Sequence, residues 1–203
     1  MDLIQRISRQ FEDSSRCTLE SLEWLAAPIA GAVETLTGCL LNSGRILTCG
    51  SGQSALDAHA FAATLMTGFE LERPPLAAIA LGSQLFMLPA CTQAGNAAPR
   101  NTEPLFAQQI SALGQPGDAL LLLDPEGRAA EICAAIDTAH ELDMRIIALT
   151  GSGDTPVGER LHDHDIHICV PAETPARIRE VHRVVLHCLC DGIDCLLLGV
   201  EEA

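Results

Sequence analysis

Apolar residues recur at helical spacing from Asp2 to Asn42, with Leu3, Ile7, Phe11, Leu22 and Leu25 on one stripe and Ile29, Val33, Leu36 and Leu40 following Pro28. The spacing predicts two amphipathic helices meeting near Ala27-Pro28. At Arg45 the pattern changes. Ile46 to Cys49 form a short apolar run without polar alternation, which reads as a buried strand, and a helical stretch follows from Ala55 to Thr67. Apolar runs at Leu76–Leu81, Ala119–Leu123, Arg145–Thr150 and Ile166–Val170 then alternate with helical stretches at Pro104–Leu113, Ala129–Leu142 and Pro175–Leu198. Strands alternating with helices predict an α/β chain: a three-layer αβα sandwich around a five-stranded parallel, doubly wound sheet, with extra N-terminal helices. The stretch from Gly82 to Arg100, broken by Pro89, Gly95 and Pro99, carries no such pattern.

Candidate chemistry concentrates where the first strand hands over to its helix, at Gly50-Ser51-Gly52-Gln53-Ser54. The glycines permit a tight turn, Ser54 is a candidate N-cap, and Asp57 in the first helical turn suits the helix dipole. Backbone N–H groups at such a turn can hold a phosphate or carboxylate, so these five residues are the expected ligand-binding segment. The dinucleotide fingerprint is incomplete because its third glycine would fall at Ala55, and the absence of a following Lys excludes a P-loop.

Composition narrows the partners. Of 203 residues, 48% are apolar and 19% charged, with a net charge of −15, 3% aromatics and no Tyr. That balance predicts a globular chain that repels nucleic acid and anionic lipid and works on small molecules or proteins. Nine cysteines are scattered without Cys-x-x-Cys spacing, which suits reduced thiols in the cytoplasm. No signal peptide and no apolar run of membrane-spanning length are expected. The last helix is apolar on most faces after Val184, and the N-terminal helices precede any sheet they could cover. Both features predict a homo-oligomer, with 1–42 as an oligomerisation segment and 43–203 as the α/β core within one domain.

Three further groups have plain readings. His162-Asp163-His164-Asp165-Ile166-His167 is read as a polar strand entrance rather than a native metal site. Asp124 and Glu126 are read as a solvated acidic loop. Ser51, Ser54 and Ser83 lack the Gly-x-Ser-x-Gly elbow of a hydrolase.

Arg45–Ala58, Glu72-Arg73-Pro74 with Ala78–Leu81, Ala112–Asp118, Ile147–Gly151 and Arg177–His182 together resemble a SIS (sugar isomerase) domain of the phosphoheptose isomerase group. Within that group, Phe69–Pro74 and His187–Asp194 are most similar to the DiaA-type regulators that associate with the replication initiator DnaA. The resemblance implies a five-stranded parallel sheet and a homotetramer built from N- and C-terminal helices. In the isomerases of this family a His and a Glu after the glycine turn form a zinc site with a His and a Gln of the last helix. The resemblance puts the first two positions at Ala60 and Thr64, neither able to move a proton or hold a metal, and the last two at His182, a remnant, and Arg179. His59 lies one residue away and is turned aside by about 100°. The family's Ser-rich phosphate turn corresponds to Asp124-Pro125-Glu126-Gly127-Arg128-Ala129, and its Asn-Asp pair to Ala98-Pro99. Two carboxylates and a proline in that turn replace donors with like charge.

These substitutions imply a degraded site without catalytic residues, metal or cofactor. The expectation is a non-catalytic homotetramer that binds DnaA in chromosomal replication initiation, with Leu197 and Leu198 as the partner-binding pair. The alternatives are a sedoheptulose 7-phosphate isomerase and a sugar-phosphate sensor.

Overall fold

The computed structural model describes residues 2–82, 105–151 and 154–199. The elements in chain order are α1 (Leu3–Leu41), β1 (Ile46–Gly50), α2 (Ser54–Thr67), β2 (Ala78–Ala80), α3 (Leu105–Leu113), β3 (Ala119–Asp124), α4 (Ala130–Glu141), β4 (Arg145–Thr150), β5 (Ile166–Cys169) and α5 (Pro175–Leu198). The five strands form a parallel sheet in the order β2-β1-β3-β4-β5. Most of Gly82 to Arg100, including Ser83 and the Ala98-Pro99 pair, falls outside the described residues.

The central strands are apolar on both faces because both are covered. One face packs Ile46, Leu121, Leu123, Ile147 and Leu149 against α1, α2 and α5. The other packs Leu47, Cys49, Leu120, Leu122 and Ile146 against α3 and α4. Three layers follow, as the alternating pattern predicted.

Two elements depart from expectation. The N-terminal segment is one helix of 39 residues, not two, with Pro28 inside it. Proline withholds one N–H from the helical ladder, the one that would be donated to the Trp24 carbonyl. β2 covers Ala78–Ala80 only, because upstream the Leu76 N–H donates to the Leu65 carbonyl of α2 instead of to a strand.

One helix, α1, is long and apolar enough to cross a membrane, contrary to expectation. In this fold the later half of α1 lies against the sheet and α5, with Leu25, Ala32, Val33 and Leu36 buried. Gly192 of α5 sets that approach, since a Cβ there would meet Val33 Cγ2 at 2.7 Å.

Candidate active site

In a doubly wound sheet, ligands bind at the carboxyl ends of the strands where the strand order reverses. Here that point lies between β1 and β3, and the two ends are tied together: the Ser51 N–H donates to the Leu123 carbonyl at 2.9 Å and the Ser51 hydroxyl to Asp124 Oδ1 at 2.9 Å. A crevice of about 400 Å³ opens there, lined by the Ser51–Ser54 turn, Asp124, Glu126, Arg128 and Arg179. A larger crevice of about 680 Å³ shares Pro125, Glu126, Arg128 and Pro175 with it and adds Glu173 on the side of β5.

The turn is built by close approach. A Cβ on Gly50 would lie 2.5 Å from the Ser54 carbonyl carbon, and Gly52 has φ +51°, so both glycines are required by shape. Ser54 does not cap α2. Gln53 holds the N-cap position in α-helical geometry, and Ser54 is the first helical residue, 1% exposed, with no partner for its hydroxyl. An unpartnered hydroxyl beside the first N–H groups of a 14-residue helix is suited to a bound anion.

Arg179 of α5 reaches the same turn. Its guanidinium donates to Gln53 Oε1 and, at 3.2 Å, to Asp57 Oδ2, while Arg183 holds the other Asp57 oxygen at 2.8 Å. Asp57 is therefore committed to two arginines rather than simply facing the helix dipole.

Asp124 is not part of a solvated loop. It is 2% exposed, and besides the Ser51 hydroxyl it accepts the Ala129 N–H at 2.8 Å, which fixes the start of α4. The Pro125 carbonyl accepts the Gly151 N–H at 3.1 Å. The acidic turn thus spends its first carboxylate on architecture and leaves Glu126 exposed beside Arg128, so the turn does not present two like charges to a ligand.

His182 is fully buried, and its Nε2 donates to the Thr150 carbonyl at 3.3 Å, pointing at the sheet rather than at Ala60 and Thr64. Burial pushes its pKa down to about 4, so it is neutral, and its Nδ1 is buried without a partner. The histidine that shares a groove with Ala60 and Thr64 is His187, together with Asp57 and Cys190. His59 donates from Nδ1 to the Ala55 carbonyl at 2.7 Å, along its own helix.

The zinc that the family resemblance implies does not fit this groove. Ala60 offers no donor, the Thr64 hydroxyl donates back to the Ala60 carbonyl, Asp57 is held by arginines, and burial raises the Cys190 thiol to about 12. That leaves His187, and a single imidazole does not make a zinc site. Leu197 packs partly on the core and Leu198 is 43% exposed at the end of α5.

Comparison with known proteins overturns the functional expectation. The SIS domain profile matches residues 10–151. Proteins named phosphoheptose isomerase from Aromatoleum aromaticum and Azoarcus sp. are 56% and 54% identical to this chain, with all of each chain covered. The structure of a phosphoheptose isomerase from Francisella tularensis superposes with a TM-score of 0.87 at 36% identity, covering 96% of this chain and 99% of that one. The phosphoheptose isomerase of Neisseria gonorrhoeae gives 0.85 at 36% identity, covering 95% and 99%. A non-catalytic regulator with DnaA as partner is therefore the wrong reading, and Leu197 and Leu198 lose their assigned role; the names of full-length relatives favour the enzyme. Substitutions at single positions do not outweigh a likeness that runs the length of the chain. This chain belongs to the SIS domain family and, within it, to the phosphoheptose isomerase group.

Proposed function

We propose that the chain isomerises a phosphorylated heptose, sedoheptulose 7-phosphate being the first substrate to test, and that the crevice between β1 and β3 holds the phosphate. The observation that carries the binding half is the buried, unpartnered Ser54 hydroxyl at the start of α2, with Arg179 and Arg128 on the same crevice. A phosphate there accepts hydrogen bonds from the helix N-terminus and the hydroxyl. The catalytic half rests on the full-length relatives named for this reaction.

Interconverting an aldose and a ketose moves a proton between adjacent carbons, which takes a general base and a general acid. Ala60 and Thr64 supply neither. The free carboxylates on the adjoining crevice are Glu126 and Glu173, and we assign the proton transfer to this pair.

The chain acts as a cytoplasmic homotetramer in which residues 1–42 serve assembly and the whole of 1–203 is one SIS domain. The exposed apolar residues Leu3, Ile7, Phe11, Leu22 and Trp24 of α1 support the assembly, and the eight described cysteines, all free thiols, support the compartment.

The test is NMR observation of sedoheptulose 7-phosphate incubated with the purified protein. Conversion to the aldose phosphate is expected, with Glu126→Gln or Glu173→Gln lowering kcat by about a hundredfold or more. Binding of the heptose phosphate without conversion would overturn the isomerase reading.

A further inference from the structure

We infer a binding site for one divalent metal ion of the zinc class at the opposite end of the sheet from the crevice, made by His140, His162, His164 and Asp165. Their candidate ligand atoms all lie within 4.8 Å of one another. Two segments converge to make the cluster. His140 comes from the last turn of α4, His162 and His164 from the approach to β5, and Asp165 immediately precedes β5. The sequence shows only the local His-Asp-His-Asp run; the fold supplies the third imidazole from 22 positions upstream of His162.

The arrangement has the features of a built site. The Asp165 side chain is fully buried, and its carboxylate is fixed by the His162 N–H at 2.8 Å and the Ile146 N–H at 3.3 Å. His140 Nε2 lies 2.7 Å from Asp165 Oδ2, and His164 Nε2 lies 3.7 Å from Asp165 Oδ1. The His140 and His162 rings stack at a centroid distance of 3.7 Å and an interplanar angle of 12°, which brings two imidazole edges into register.

A tetrahedral zinc ion with nitrogen and oxygen ligands at about 2.0–2.1 Å spaces its donor atoms about 3.3 Å apart. To admit it, His140 and Asp165 separate by about half an ångström while the exposed rings of His162 and His164 close in by rotation. The hydrogen bond between His140 and Asp165 gives way to the metal. The backbone N–H groups on Asp165 hold the carboxylate in place, as partners of metal ligands do.

The electrostatics favour a cation. His140 sits at the C-terminal end of α4, where the helix carries partial negative charge. Asp143 and Arg145 face the same cavity of about 430 Å³ and offset one another, with the Arg145 guanidinium turned to the His164 carbonyl at 3.4 Å. A bound ion would clamp the end of α4 to the start of β5, away from the phosphosugar crevice.

The test uses untagged, full-length protein stripped with chelator, dialysed against zinc chloride and, separately, cobalt chloride. One zinc per chain with a micromolar or tighter Kd is expected. The cobalt complex should show tetrahedral d–d bands and no thiolate charge-transfer band, which separates this site from the cysteines. The double variant His162→Ala/His164→Ala, at exposed positions, and the single variant His140→Ala should each weaken zinc binding by about tenfold or more. The double variant should keep the wild-type circular dichroism spectrum and phosphosugar turnover, and should lose the zinc-dependent rise in melting temperature. Unchanged zinc stoichiometry in the double variant, a thiolate band, or no saturable binding by the wild type would each overturn the assignment.

Discussion

Ser54 is where fold and site make opposite demands on one atom. A buried hydroxyl without a partner costs about 1–3 kcal/mol. Ser54→Ala should therefore leave the melting temperature unchanged or raise it, while KM for the heptose phosphate increases about tenfold or more. A fall in stability with no change in KM would show that the hydroxyl serves the fold. His182 makes a prediction of another kind. Its native pKa of about 4 lies below the ordinary histidine value of about 6.5, so the unfolded chain binds the extra proton first as the pH drops. Its contribution is intact above about pH 6.5 and is lost toward pH 4, a change of about 3 kcal/mol. His167, which pairs with the Thr150 hydroxyl at 2.7 Å and whose pKa burial also lowers, adds a slope of the same sign. Urea titrations between pH 4.5 and 7.5 should show that slope, and the difference between wild type and His182→Gln should isolate the share owed to His182.

At the scale of elements, α1 tests how a helix tolerates proline. Pro28 breaks the ladder of a helix whose flanking residues Leu25, Ala32 and Val33 are buried, so packing on the sheet and α5 holds the helix together across the gap. Pro28→Ala restores one hydrogen bond and should raise the unfolding free energy by about 1–3 kcal/mol in urea titrations. The β1–α2 turn responds in the opposite sense. Gly50→Ala places a methyl 2.5 Å from the Ser54 backbone and should abolish phosphosugar binding along with much of the stability. The strand-helix alternation located these elements to within a residue or two, and it misjudged α1 because proline is the strongest local stop signal a sequence contains. His182 and His187 show a finer limit. They lie five positions apart, about 140° around the helix, so only one can face α2. Apolar residues on both sides of α5 hide which.

For the whole molecule, the exposed apolar residues along α1 are the feature a lone chain does not explain. Phe11 and Trp24 are each 73% exposed and Leu22 is 62% exposed, on a chain that carries a net charge of −15. Apolar surface of that extent is what the proposed assembly would bury. Light scattering after size exclusion should give a tetramer, and Phe11→Asp with Trp24→Asp should shift it to smaller species. Added salt should strengthen the wild-type assembly, because screening removes repulsion between acidic copies while burial of apolar surface is unaffected.

By itself the sequence determined the order and type of the elements, the parallel sheet and the place of the Gly50–Ser54 turn at a strand end. These follow from periodicity and from backbone freedom at glycine, which are local properties. Only the tertiary structure decided that the Ser54 hydroxyl has no partner, that Asp124 is buried as a brace, that His187 rather than His182 faces Ala60 and Thr64, and that His140 joins His162, His164 and Asp165. Each of those depends on the direction of a side chain relative to residues far away in the chain, and such direction is fixed by packing rather than by spacing.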